Sequence, residues 1–404
     1  MSPFARTNAR RGAGLALTRP LRRGHCLSGL LPCLVTAGMS MATPVHAASG
    51  TEARLQANWT QPVTGQEIRL DPSTSSPRAG RSIVRYDWDF GDGRTATSTT
   101  AAPHYVSWPE AARRKVTLTV TDSAGVMRSA RLVIEVKRFA PTGRLNDSGI
   151  DWCAVVDPDT GVWTNGLNCL SLDWPLYLYW GKQQDGYFGR DFRNSKGKLS
   201  KVGSGAAGFD FTRLGADGLP LAIQDGVYSD TGNEADGTRW DCVRDNTTGL
   251  IWEVKRNDPS HLRHAWHTYS WYSTDRSNNG GVDGLDHGGE CTGVPDPLFC
   301  NTQSYITAVN ALPTGEALCG FRDWRLPTID ELGGLTMIGR ANPAIDTGHF
   351  PNSGVAQNTQ AFTWSSSTYR GFQYHAWGIR FDSGERVPDW KEYGFQVRLV
   401  RSGV

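Results

Sequence analysis

The chain has 404 residues, with 42 Lys and Arg against 40 Asp and Glu. Hydrophobic residues make up 38% and charged residues 20%, which fits a folded globular chain and excludes a disordered or membrane-embedded one. The near balance of charge excludes a nucleic-acid binder driven by a basic surface, and 46 glycines with 15 tryptophans point to turn-rich β structure with aromatic cores.

Residues 1–47 read as a secretory signal, not as part of the fold. Six arginines (Arg6, Arg10, Arg11, Arg19, Arg22, Arg23) precede an apolar run from Leu27 to Ala42, and Val45, His46 and Ala47 suit a cut before Ala48. The run contains Pro32 and Gly38 and is short for a membrane span, so no integral span is expected after cleavage. Cleavage removes six arginines and no acid, leaving 36 basic against 40 acidic residues in a weakly acidic mature chain. Cys26 and Cys33 leave with the leader. The remaining Cys153, Cys169, Cys242, Cys291, Cys300 and Cys319 form an even set, which predicts three disulfides in an oxidising compartment. Sequence alone does not choose the pairing. Proximity favours Cys153–Cys169 and Cys291–Cys300, with Cys242–Cys319 as the remainder. The expected location is secreted, periplasmic or cell-surface.

Residues 48–140 form a first domain of strands. Apolar residues alternate over 83–86, 116–120 and 132–136, with a turn at Asp122, Ser123, Ala124 and Gly125. In the run Tyr86-Asp87-Trp88-Asp89-Phe90-Gly91-Asp92-Gly93, Trp88 and Phe90 share one parity and should face inward, with Asp87 and Asp89 outward. Asp87, Asp89 and Asp92 have oxygens suited to Ca²⁺, but a solvated turn is the plainer reading. The WDFGDG block, with VTLTVTDSAG over 116–125, resembles the PKD domain. That resemblance implies an immunoglobulin-like β-sandwich acting as a spacer or weak binding module on exported proteins.

Residues 141–150, with Pro141, Gly143 and Gly149, read as a linker, and residues 151–404 as a second domain with its core at about 240–402. Cys153 and Trp163 bracket a turn-forming segment much as Cys242 and Trp252 do, which suggests two hairpins of the same chemistry. The Gly/Ser/Lys-rich tract 196–208 is expected to be a mobile surface loop. His261, His264 and His267 stand three apart. On a helix they would spread around its circumference, so a solvated face is expected there before a metal site. Tyr305, Val309 and Leu312 have helical spacing over 301–312.

Residues 320–332, GFRDWRLPTIDEL, form a strand-to-helix corner. Thr328 and Glu331 make a capping box behind Pro327, starting a helix expected to run on toward Ile338. Trp324, Leu326 and Leu332 are expected to face one core. Strands follow over 362–365, 377–381 and 395–400. Asp323, Trp324, Arg325, Thr328 and Glu331 of this corner, with NPAID at 342–346, WSSS at 364–367, AWGIRFDSG at 376–384, VRLVR at 397–401 and CVRDNTTGLIWEVK at 242–255, resemble the Lcl-type C-terminal domain. The resemblance covers roughly residues 145–402. It implies an α+β C-type-lectin-like fold, two helices on a curved antiparallel sheet with disulfide-tied loops, and an adhesion role on acidic or sulfated surface glycans. The formylglycine-generating enzymes are more distantly similar, and imply the alternative of an oxidase using a reactive cysteine pair.

Two binding sites are expected. Asp283, Asp286 and Glu290 in the glycine-rich loop NNGGVDGLDHGGE suit calcium, the one cofactor the sequence offers a place for. Tyr369, Arg370, Phe372, Tyr374, His375, Arg386, Trp390, Lys391 and Tyr393 combine aromatic rings with cations, which suits stacking on sugars and pairing with their anionic groups. No catalytic residue is assigned: G-x-S-x-G, H-E-x-x-H and Walker-type motifs are absent from the sequence. The expected protein is a non-enzymatic exported binder of a surface glycan or protein ligand, without a nucleic-acid partner.

Overall fold

The computed structural model describes residues 50–138, 144–150, 152–156, 163–167, 185, 189–353 and 361–401. The signal expected over 1–47 and Cys169 lie outside them.

The first domain contains β1 (Gln56–Ala57), β2 (Ile68–Asp71), β3 (Ile83–Asp89), β4 (Thr95–Ser98), β5 (His104–Val106), β6 (Ala112–Asp122) and β7 (Met127–Val136). They form a β-sandwich of a three-stranded sheet, β1-β2-β5, and a four-stranded sheet, β4-β3-β6-β7. Parity places the core as expected: Trp88 and Phe90 are buried with Leu118, Val120 and Ile134, while Asp89 is exposed. The indole of Trp108 closes the turn by donating to the Phe90 carbonyl at 3.3 Å. Gly91 has φ +74°, and a Cβ there would lie 2.8 Å from the Lys115 backbone, so the WDFGDG turn admits no side chain at that position. Asp87 accepts from Thr97, Asp89 from the Gly91 amide and Asp92 from Arg94, each serving the local turn.

The second domain opens with β8 (Cys153–Val156) paired to β9 (Trp163–Leu167), then α1 (Arg190–Ser195). The tract 196–208 is not a free loop: the Asp210 carboxylate accepts from the amides of Val202 and Gly203, and Lys201 donates to the carbonyls of Gly205 and Ala207. A four-stranded antiparallel sheet combines β10 (Phe211–Leu214), β11 (Cys242–Asp245), β12 (Ile251–Glu253) and β16 (Val400–Arg401) in the order β10-β11-β12-β16. A three-stranded one combines β13 (Phe362–Thr368), β14 (His375–Arg380) and β15 (Glu385–Trp390). Among the described residues the second domain therefore has three separate sheets, of four, three and two strands, in place of one curved sheet. The strand expected over 395–400 shortens because Phe395 and Gln396 bridge to Tyr269 and Thr363 before the chain reaches β16.

Two helices are short. α2 (Thr302–Asn310) is capped by Asn301, whose side chain accepts from the Ser304 amide, and it buries Tyr305 and Val309. α3 (Ile329–Gly333) has the full Thr328/Glu331 capping box, but it ends five residues before Ile338. Glycines at 333 and 334 weaken the helix there. The amides of Met337 and Ile338 are also taken by the carbonyls of Ala344 and Ser148. The corner feeds two cores: Trp324 and Leu326 join the cluster with Trp271, Tyr305 and Trp364, whereas Leu332 joins the one with Phe209, Trp240 and Ile379. Disulfides Cys242–Cys319 and Cys291–Cys300 are present as expected, with Cα–Cα distances of 6.4 and 5.7 Å. Cys153 is also disulfide-bonded.

One buried guanidinium of the second domain reaches the first. Arg401, 0% exposed, grips Asp323 through Nε and Nη2 at 2.7 and 2.8 Å, lies 3.7 Å over the Phe321 ring and donates to the Thr64 carbonyl of the first domain at 3.2 Å. Around it, Glu67 accepts from the Gly315 amide and faces Arg322, Gln66 donates to the Asp217 carbonyl, and Val63 packs on the second domain's core. Arg325 and Val400 exchange both backbone hydrogen bonds at 2.9 Å, tying the corner to the closing strand. Removing one partner of such a pair leaves the other charge uncompensated. Arg401→Met should therefore cost about 2–3 kcal/mol in urea unfolding, and Arg401→Met with Asp323→Leu should recover part of it. A single variant with unchanged stability would contradict the assignment.

Candidate functional site

The sheet β13-β14-β15 has one buried side and one divided side. Pairing of Ala376 with Asp389 and Gly378 with Val387 sets the buried side, where Ala376 belongs to the core and Val387 packs on it. Pairing of His375 with Trp390, Trp377 with Pro388 and Ile379 with Arg386 sets the other. At the Ile379 end α3 covers this side: Ile379 shares a core with Leu332 and Leu335, and Arg386 pairs with Asp330 at 2.8 Å. α3 starts beside Ser367, whose Oγ accepts from the Ile329 amide at 3.0 Å, and runs toward Ile379, so the end of the sheet that carries His375 and Trp390 lies beyond its first turn.

That open end is a continuous aromatic surface. Tyr369 meets Trp377 edge-on at 5.2 Å and stacks on His375 at 6.3 Å. His375 lies 4.7 Å from Trp390 and 4.9 Å from Phe372, and Phe372 contacts Trp390 at 5.3 Å and Tyr374 at 5.4 Å. Backbone bonds from the Tyr369 amide to the His375 carbonyl and from the His375 amide to the Phe372 carbonyl fold the turn that carries them. Gly371 is needed under the Tyr369 ring, since a Cβ there would come within 2.6 Å of it. Phe372, Tyr374 and Trp390 are 41%, 46% and 39% exposed; Tyr393, 48% exposed, meets Phe395 at 6.2 Å instead. His375 is half-buried, and its Nε2 is enclosed with no hydrogen-bond partner among the described residues.

The expected cations do not all join the rings. Arg370 is exposed in the turn. Arg386 points to α3. Lys391 is a correction: it is 2% exposed, with Nζ donating to the carbonyls of Asn279 and Val282 at 2.8 and 2.7 Å and lying 4.2 Å over Trp271. Burial pulls its ammonium down to about 8, against the pull of Asp283. An ammonium that satisfies two loop carbonyls and an aromatic face has no donor geometry left for a ligand outside. Trp377 belongs to the surface too. Trp377 was detectable from its shared strand parity with His375.

The calcium candidates do not converge. Asp283 accepts from Asn279 at 2.6 Å, Asp286 pairs with its neighbour His287, and Glu290 pairs through its backbone with Thr268. Among the described residues no group of three or more His, Cys, Asp or Glu side chains is placed to hold a metal ion. The histidine trio is not a solvated helical face. The chain turns there, His264 and His267 are buried edge-to-face at 5.0 Å, and burial together with Arg263 and Arg256 holds His261 down at about 4.

Charged groups inside the second domain pair with one another. Glu253 accepts from Lys255 and Tyr305, and Arg398 donates to the Glu253 carbonyl at 2.6 Å. Asp241 receives both Arg256 and Arg263 at the floor of a cleft of about 230 Å³ beside His261, Leu312 and Cys319. All five described cysteines of the expected set are disulfide-bonded, so none of them supplies a thiolate.

Comparison with known proteins gives the domain order. Residues 52–136 match the family model of the PKD domain, and residues 241–401 match that of the Lcl C-terminal domain. Among solved structures, the PKD1 domain of the Vibrio cholerae metalloprotease PrtV is 33% identical, covering 22% of this chain and 98% of that one, with a TM-score of 0.19. The PKD1 domain of Vibrio anguillarum Epp is 22% identical, covering 22% and 95%, with a TM-score of 0.19. A structure from work on carbohydrate-binding modules of the β-sandwich superfamily is 27% identical over 26% of this chain, with a TM-score of 0.22. The match spans only 43% of the length of that last structure.

Two outcomes follow from the electrostatics and the ring cage. Burial pushes the Asp241 carboxyl up, but Arg263 and Arg256 outweigh it and hold the group at about 2. A depressed carboxyl stabilises the fold above about pH 4 and loses that contribution as pH falls through 2, an effect of about 2 kcal/mol. Urea unfolding of Asp241→Asn against wild type should show a gap that narrows between pH 4 and 2; a constant gap would contradict the pairing. His375→Phe keeps the ring and removes the unpartnered nitrogen, so its melting temperature should equal or exceed that of wild type. A clear fall would show that the nitrogen has a partner.

Proposed function

We propose that this is an exported binding protein whose second domain recognises carbohydrate through the open aromatic end of β13-β14-β15. The observation that carries the reading is the six-ring cluster of Tyr369, Phe372, Tyr374, His375, Trp377 and Trp390, of which Phe372, Tyr374 and Trp390 stand exposed beyond the first turn of α3. Large exposed aromatic surface is costly for a chain that uses it for nothing, and contiguous patches mark interaction sites. Ring faces accept the C–H faces of pyranoses, and the tyrosine hydroxyls and Gln373 supply hydrogen bonds to sugar hydroxyls. Edge-to-face packing holds the rings in place before a ligand arrives, which lowers the ordering cost of binding.

The domain order supports the same reading. A PKD domain followed by an Lcl C-terminal domain, with cystines in the second, suits an extracellular binding module. Among the described residues no helix is long and apolar enough to cross a membrane. Adhesion to a cell-surface glycan is the role this arrangement serves best. The first domain then acts as the mount and the aromatic end as the contact.

A glycan array probed with the mature protein tests this. Binding should appear, and Trp390→Ala and Phe372→Ala should each weaken it about tenfold or more, equivalent to about 1.4 kcal/mol, with melting temperatures near wild type. Binding untouched by both substitutions, or no binding to any glycan, would contradict the proposal.

A further inference from the structure

We infer that Ser204, His349 and Asp346 form a nucleophilic triad that hydrolyses carboxylic esters. This activity is additional to carbohydrate binding and does not depend on it.

Ser204 extends the edge of β10. It exchanges both backbone hydrogen bonds with Phe211, at 2.8 and 2.6 Å, and the residue is exposed. Its Oγ lies 3.1 Å from Nε2 of His349, and Nδ1 of His349 lies 3.2 Å from Oδ2 of Asp346. His349 and Asp346 are both buried. Burial pushes the Asp346 carboxyl up, but the His349 hydrogen bond and the amides of Ala206 and Gly348 outweigh it and hold the group at about 2. An ionised carboxylate can only accept, so the ring proton sits on Nδ1 and Nε2 is left to accept from the Ser204 hydroxyl. That is the tautomer a general base needs. The ring is held in place by Phe211 at 5.2 Å, and the Trp240 indole donates to the His349 carbonyl at 2.8 Å. A purely structural histidine bonds both nitrogens to core groups; here one of them faces an exposed hydroxyl.

The loop that carries Ser204 is fixed on both sides. Asp210 takes the amides of Val202 and Gly203, Phe211 that of Ser204, and Asp346 that of Ala206. Among the described residues no acceptor takes the Gly205 amide. Gly205 directly follows the nucleophile, where acyl-transfer enzymes place a donor for the developing oxyanion. Ala207 has φ 51°, a left-handed conformation that costs a non-glycine residue energy, and such strain gathers at active sites.

The chemistry closes with water as the only co-reactant. Ser204 Oγ bonds to the ester carbonyl carbon as its proton passes to His349 Nε2, and the carbonyl π electrons move to oxygen. Collapse breaks the bond to the alkoxide, which leaves with the proton from Nε2. A water then gives its proton to Nε2 and attacks the acyl carbon. The carbon–Oγ bond breaks, Oγ recovers the proton, and a carboxylic acid departs. Asp346 touches no reacting atom and acts as a positioning residue. One oxyanion donor stabilises less than a pair does, which suits esters, whose alkoxide leaves more readily than an amine.

Two assays on the full mature chain test this. Treatment with a fluorophosphonate reagent, followed by digestion and mass spectrometry, should find the phosphonyl group on Ser204. The chain should also hydrolyse p-nitrophenyl acetate above the buffer rate, and Ser204→Ala should lower that rate about a hundredfold or more. Ser204 is exposed, so the melting temperature of the variant should match wild type. Ser204 left unmodified, no hydrolysis by the wild type, or hydrolysis unchanged in Ser204→Ala would each overturn the triad. None of these results alters the outcome expected of the glycan array.

Discussion

The pair between Arg401 and Asp323 is the interaction on which the rest of the structure depends. One buried guanidinium joins the last strand, the strand-to-helix corner and a carbonyl of the first domain. Phe321 covers it, so the charge is held by fixed partners in place of water. The corner fixed in this way starts α3 by a capping box, and Arg325 of the same corner grips Glu331 at 2.7 Å. α3 in turn covers half of one sheet face, from beside Ser367 onward. The open half is where the rings stand. A buried ion pair is weak evidence for net stability, and its better-supported use is to specify one arrangement among several. Here Arg401 also donates to the Thr64 carbonyl of the first domain at 3.2 Å, so the pair lies against that domain.

The second domain keeps its chemistry-capable charges closed in. Glu253, Lys255, Tyr305 and Arg398 satisfy one another, and burial lowers Lys255 to about 8 and Arg398 to about 10. Shifted groups often mark active sites. In this case the partners are protein groups packed within a core, and the shifts express the cost of burying charge. The exposed end of β13-β14-β15 instead presents ring faces, those of Phe372, Tyr374 and Trp390. Surface and interior together describe a molecule built to hold a contact patch steady.

Much of this was legible from local rules. Strand parity placed Trp88 and Phe90 inside, the Thr328/Glu331 spacing gave the cap, and short separation paired Cys291 with Cys300. What failed was set by distant partners. α3 was expected to reach Ile338, but Ser148 and Ala344 claim the amides beyond it. Lys391 read as a ligand-facing cation because a lysine among exposed aromatics usually is one. Its burial depends on two carbonyls more than a hundred residues earlier. His264 and His267 read as solvated because a period of three suggests helix, and the turns that bury them have no signal in that spacing. The ring cluster was half legible: the residue types were visible, but its limit depends on where α3 begins against Ser367.

The most direct measurement is a crystal structure of the mature chain soaked with a neutral oligosaccharide. The account predicts sugar density stacked against Trp390, Phe372 and Tyr374 at the uncovered end of the three-stranded sheet. Density instead in the cleft beside Arg256 and Arg263, with the rings bare, would contradict it.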